Sequence, residues 1–162
     1  MRIRSAGAYL ALVAGMGVAR AGCGQIGQVR AMKAFKDGNK LYAANDFRGA
    51  AAKYEEAVAA DPNGELNSCG NSPGCVFFFL ANSYDNMYRP GRKGEPANDA
   101  YLTKAVEFYK LASEKIVDPT FKTRSLEYLV AAYGPDKLNG PTMAEPIIQE
   151  MIRLTPGEPS NY

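Results

Sequence analysis

Three cysteines and a complete lack of histidine bound the chemistry open to this chain of 162 residues. Cys69 and Cys75 fall in residues 67–75, a run of Asn, Ser, Gly and Pro with the composition of a turn. In an oxidising compartment two such thiols pair and close a small loop. Chain entropy values that staple at about 2 kcal/mol, too little to be a condition for folding. As metal ligands the two thiols are poor, because no histidine is available to complete a zinc site. As a redox pair they have five residues between them, where thiol–disulfide catalysis uses a two-residue spacing. The missing histidine also removes the usual general base and triad member. Asp37-Gly38-Asn39 falls inside a helical pattern, and Gly91-Arg92-Lys93-Gly94 lacks the full phosphate-loop pattern, so neither is read as a nucleotide site. Glu55 and Glu56 read as solvated residues of a helix surface. No catalytic residue, metal site or cofactor is assigned, and the chain is not read as an enzyme.

The third cysteine belongs to a different segment. Met1-Arg2-Ile3-Arg4 is a basic head, residues 8–19 are mildly apolar, and Ala19-Arg20-Ala21 has the small-x-small pattern of a cleavage site, which reads as a signal peptide over residues 1–22. The segment is too short and glycine-rich to span a bilayer, and Gly15, Gly17, Gly22 and Gly24 weaken it as a helix. Ala21-Gly22-Cys23 resembles the end of a bacterial lipobox, which implies that Cys23 carries lipid and that residues 23–30 form a tether. Arg20 departs from that pattern, which has an aliphatic residue at that place. The competing reading is a cut after Ala21 that leaves Cys23 a free thiol. Three cysteines in an exported protein leave one unpaired, and acylation of Cys23 removes the oddity. By the lipoprotein rule, Gly24 implies the outer membrane.

The elements that would position any functional group are helices. A spacing occurs three times: Ala50, Tyr54, Ala57, Pro62; Ala105, Tyr109, Ala112, Pro119; Ala144, Ile148, Met151, Pro156. Steps of three and four put these side chains on one helix face, where alanine allows close approach and the larger residue fills the gap beside it. Proline is expected to end each helix. Upstream of each copy lies a second helical segment, with Phe77, Leu80, Ala81 and Tyr84 spaced like Leu126, Leu129, Val130 and Tyr133, and with Ala34, Asp37, Gly38 and Leu41 at those offsets in the first copy. Each unit is therefore a helical hairpin, and a period of this kind indicates a repeat architecture.

Residues 31–63, AMKAFKDGNKLYAANDFRGAAAKYEEAVAADPN, resemble a tetratricopeptide repeat, with the glycine, the paired alanines around a tyrosine and the terminal Asp-Pro-Asn in the family's places. The other two copies look like divergent members, the second with a long insertion. The resemblance covers residues 31–158 as three hairpins, about 31–64, 75–119 and 120–156, and implies an all-α fold: a right-handed superhelical stack of antiparallel helical hairpins. It also implies a concave groove lined by the first helix of each hairpin. Carried onto this chain, that face holds Phe35, Asn39 and Tyr42, then Phe78, Asn82 and Asp85, then Arg124, Glu127 and Ala131. Asparagine there can give and accept hydrogen bonds along a peptide while rings supply area; alternatively Phe35 and Phe78 pack against neighbouring helices. The family's chaperone-binding version places lysine where Phe35 stands, so that specificity is not implied.

Charge limits the partners. The whole chain has 19 Lys and Arg against 17 Asp and Glu; without residues 1–22 it has 16 against 17, a net of −1, and no strong field for nucleic acid remains. Arg89, Arg92 and Lys93 form the only basic cluster, in a turn-rich stretch read as a solvated connector. Residues 159–162 read as the opening of a truncated fourth hairpin. The expectation is an exported scaffold that holds another protein or a peptide segment, meeting the membrane only through a lipid anchor. The alternatives are a structural subunit of an envelope assembly machine, or the regulatory repeats of a longer enzyme.

Overall fold

The computed structural model describes residues 15–70 and 72–159, with side chains from residue 25 onward. Residues 1–14 of the segment read as a signal peptide, the side chain of Cys23 and residues 160–162 lie outside the described residues. Among the described residues the structure is all-helical: α1 (Gly15–Ala43), α2 (Phe47–Ala60), α3 (Cys75–Met87), a 3₁₀ turn (Pro90–Arg92), α4 (Pro96–Lys115), α5 (Pro119–Ala132) and α6 (Pro141–Leu154). The backbone of residues 15–30, including Cys23 and the four glycines before residue 25, belongs to α1.

Each helix packs on its neighbours in the chain, α1 on α2, α2 on α3 and so on to α6, and α3 also touches α5. Local sequence sets the starts. Asp46 caps α2 by accepting from Gly49 N at 2.9 Å, and Asp118 caps α5 by accepting from Phe121 N at 3.0 Å. Pro96, Pro119 and Pro141 occupy the first turns of α4, α5 and α6, where a missing N–H costs nothing. Pro119 therefore opens α5 rather than closing α4, which has already ended at Lys115. Pro146 lies inside α6 on its exposed side and removes one ladder bond there.

The repeated spacing forms the core. Ala50, Tyr54, Ala57, Ala105, Tyr109 and Ala112 have no solvent exposure, and Ala144 and Met151 are buried on α6. Close approach of α1 to α2 depends on Gly38: a Cβ added there would stand 2.6 Å from the Tyr54 ring. The first hairpin passes to the second through a folded linker in which Asp61 accepts from Leu66 N at 2.8 Å and from Asn67 Nδ2 at 3.2 Å. Cys69 and Cys75 are joined in a disulfide, and Cys75, the first residue of α3, is fully buried. Ser72 Oγ accepts from Asp118 N at 3.2 Å, so this linker also touches the start of α5.

The inserted residues of the second unit do two things. They lengthen α4 to 20 residues, against 14 in α2 and α6. The remainder forms an ordered connector, residues 89–95, held by the buried Asn98: its Oδ1 accepts from Arg89 N at 2.9 Å, and its Nδ2 donates to the carbonyls of Arg89 and Arg92, each at 3.1 Å.

Candidate binding cleft

The first helices of the hairpins meet along one face through aromatic rings. Phe79 of α3 packs against Phe35 and Tyr42 of α1, with ring centroids 6.4 and 5.3 Å apart. Phe78 packs against Phe121 and Tyr128 of α5 at 6.2 and 5.8 Å. Above these rings lies an open cleft of about 410 Å³, lined by Tyr42, Asn45, Phe47, Asn82, Asp85, Asn86, Tyr128 and Lys137.

Asn82 organises its floor. Its Oδ1 accepts from Tyr42 Oη at 2.6 Å and from Asn86 Nδ2 at 2.8 Å, and its Nδ2 donates to Tyr109 Oη at 3.1 Å, so one amide ties α1, α3 and α4 together. At one end Asp85 is ion-paired with Lys137 from the α5–α6 connection, with the Asp85 side chain only 9% exposed. A carboxylate that buried needs its partner. Burial raises the hydroxyl of Tyr42, and burial followed by the charge of Asp85 raises that of Tyr109, so both are neutral hydrogen-bonding groups at ordinary pH. The cleft offers amide and phenol groups, ring faces and one ion pair, a set suited to holding an extended or helical chain segment.

Of the residues assigned to the groove, Tyr42, Asn82 and Asp85 come together in this cleft. Phe35 and Phe78 are 8% and 5% exposed, so of the two readings open for these rings the structure has them packed against neighbouring helices, and Asn82 is 4% exposed, which corrects the expectation that its amide is presented to a ligand. The rings are taken by Tyr54 and Tyr109, at 5.9 and 6.1 Å, and the Asn82 amide is taken by its three partners. Asn39 is exposed, and its Oδ1 accepts from Tyr54 Oη at 2.8 Å. Arg124 and Glu127 line a separate cleft of about 240 Å³ near the end of α6, which corrects their assignment to the same groove. Phe121 and Tyr128 of α5 meet Phe78 of α3, whereas Arg124, one turn from both, and Glu127 are exposed and share their cleft with Thr155 and Glu158 after α6.

Tyr128, Lys137, Asn86, Asn45 and Phe47 were not among the candidates. A signal existed for Tyr128, which stands two residues after Leu126 as Phe79 stands two after Phe77. Lys137 and Asn45 belong to connections, where helical periodicity gives no guide.

On the opposite flank, Glu55 of α2, Tyr84 of α3 and Lys104 of α4 form a second polar cluster. Lys104 Nζ donates to Glu55 Oε1 and to Tyr84 Oη, each at 2.8 Å, and lies 4.6 Å from the Tyr84 ring centroid, while Tyr84 Oη also donates to Glu55. Glu55 and Glu56 are thus ion-paired rather than merely solvated, Glu56 with Lys53 and Arg30. Among the described residues there is no cluster of three or more potential metal ligands, and no helix long and apolar enough to cross a membrane. No protein-family model matches the chain, and no curated protein matches it.

Proposed function

We propose that this chain is a non-enzymatic interaction scaffold of the tetratricopeptide-repeat type, whose hairpins stack in a right-handed superhelix and hold a protein or peptide segment along the face of α1, α3 and α5. The observation that carries this reading is the cleft above Asn82, where four helices and two connections converge on an open trough whose deeper hydrogen bonds are internally satisfied. The floor stays rigid, while Asn45, Asn86, Tyr128 and Lys137 remain at the rim to meet a ligand. Selection from a displayed random-peptide library tests it. Recovered peptides should bind the intact protein and lose about tenfold or more in affinity with Tyr128→Ala, a side chain at the scale of an interface hot spot. Peptides indifferent to Tyr128 would count against the groove.

The scaffold is exported and held by lipid on Cys23 at the periplasmic side of a bacterial outer membrane, a soluble periplasmic form being the alternative. The basic head, the apolar stretch and Ala21-Gly22-Cys23 support this, and the Cys69–Cys75 bond leaves Cys23 as the odd thiol. Cys23→Ser should leave the membrane fraction, and unchanged partitioning would remove the anchor.

A second reading, a permanent subunit of an envelope assembly, is favoured by one observation. Ile26, Val29 and Met32 of α1 are 70%, 66% and 55% exposed at helical spacing. Copurification of a partner at fixed stoichiometry that survives Tyr128→Ala would select it.

A further inference from the structure

A cleft of about 540 Å³ adjoins the groove and shares Asn45, Phe47 and Asn86 with it. It lies between the α1–α2 turn, the end of α3 and the start of α4, and three guanidinium side chains line it: Arg48, Arg89 and Arg92. Their partners differ in kind. Arg92 is matched by Glu95, which accepts from both its Nε and its Nη2. Arg48 instead donates from Nη2 to Tyr101 Oη at 3.1 Å and lies 6.0 Å from that ring's centroid. Arg89 donates from Nη1 to the carbonyls of Asn86 at 2.7 Å and Tyr88 at 3.2 Å. Neutral acceptors orient these two cations without cancelling them, and each fork has five N–H donors, most of them uncommitted by these bonds. The one acid lining the cleft, Asp46, already accepts from Gly49 N as the cap of α2.

The connector that carries Arg89 is built rather than loose. Asn98, 4% exposed, spends its amide on the backbone of Arg89 and Arg92, and Asp99 Oδ2 accepts from Gly94 N at 2.9 Å. Two positioned guanidinium groups against the single carboxylate of Asp46 leave net positive charge beside amides and a phenol, a receptor for carboxylate, whose geometry the guanidinium fork matches.

We propose that this cleft is an anion subsite that takes an acidic side chain of the bound segment, between Arg48 and Arg89. The proposal rests on the groove reading above and specifies its partner: a segment with Asp or Glu next to the part that lies over Tyr42 and Tyr128.

The test is fluorescence anisotropy of the intact protein with a labelled hexaglutamate peptide blocked at both ends, so that only side-chain carboxylates are charged, against a matched hexaglutamine. The expected result is binding of hexaglutamate alone, weakened by salt. Affinity should fall about tenfold or more in Arg48→Gln/Arg89→Gln, a loss of the size expected for charge-assisted contacts, and less than about twofold in Arg92→Gln, whose charge Glu95 already matches. All three arginines are exposed, so each variant should stay folded, which unfolding curves recorded alongside would check. Absence of hexaglutamate binding, or binding untouched by Arg48→Gln/Arg89→Gln, would overturn the subsite. The two readings fail separately: library peptides sensitive to Tyr128→Ala without hexaglutamate binding leave the groove and remove the subsite, while the reverse leaves the subsite and removes the groove.

Discussion

Asn82 donates to the buried hydroxyl of Tyr109 at 3.1 Å, and one hairpin earlier Asn39 accepts from the buried Tyr54 at 2.8 Å, so the first two units repeat a polar clasp between first and second helix. In the third unit the counterpart positions hold Ala131 and Ile148, and both halves of the clasp are absent together. A hydroxyl inside a helical pair needs its partner, and removing one half strands the other at about 1–3 kcal/mol. Asn82→Ala should therefore destabilise the protein by about that amount, and Asn39→Ala, whose amide is exposed, by about 1 kcal/mol or less. Urea unfolding measures both. Adding Tyr109→Phe to Asn82→Ala should recover part of the loss.

Gly38 is a helix-interior glycine, where alanine ordinarily gains about 1 kcal/mol. Here the added Cβ would meet the Tyr54 ring at 2.6 and 2.7 Å, and Tyr54 has no exposed surface into which to move. Overpacking of this kind costs about 1–3 kcal/mol, so Gly38→Ala should lower the unfolding midpoint despite its better propensity. A raised midpoint would mean that α1 and α2 can separate freely.

Reducing the Cys69–Cys75 bond should lower stability by about 2 kcal/mol while preserving helical circular dichroism, because the bond closes a short loop and the helices pack independently of it. The linker also touches α5 through Ser72 and the backbone N–H of Asp118, so faster amide exchange on reduction should reach the start of α5 as well as that of α3.

The Glu55 carboxyl lies below its usual range: burial pushes it up, but the hydrogen bonds from Lys104 and Tyr84 pull it down further. A group lowered on folding stabilises the protein above its ordinary pKa and loses that contribution as pH falls through the folded value. Lys104 is raised, chiefly by its hydrogen bond to Glu55, so its share is complete below the ordinary lysine range and is lost only in strong alkali. The stability difference between wild type and Glu55→Gln should therefore be flat from about pH 6 to 9 and shrink below about pH 4.3. With the side chains 44% and 47% exposed, a double-mutant cycle with Lys104→Met should give only about 0.5 kcal/mol of coupling.

Helices and core were legible because alanine and tyrosine at steps of three and four admit one solution, a face that a second helix must cover. Tyr54 and Tyr109 stand out in the sequence for that reason. Depth within the groove was not legible. Helical register tells which way Phe35, Phe78 and Asn82 turn, but their neighbours decide that they are covered, and those come both from the same hairpin, Tyr54 and Tyr109, and from other hairpins, Phe79, Phe121 and Tyr42. Arg124 and Glu127 fail for a related reason: Thr155 and Glu158, which follow α6, line a cleft with them, and the register of α5 alone does not reveal that neighbour. The connector of residues 89–95 reads as solvated from its Gly and Pro content and is exposed throughout, but its order, held by the buried amide of Asn98, could not be read there. Turn composition carries no information about such a long-range clamp.

The most direct test of the central claim is site-specific photocrosslinking in producing cells, with a photoreactive phenylalanine analogue placed in turn at Asn86, in the cleft, and at Ala59, exposed on α2 away from it. The groove account predicts a discrete protein adduct from position 86, none from position 59, and loss of the adduct when Tyr128→Ala is added. Adducts from position 59 alone, equal adducts from both, or none from position 86 would contradict it.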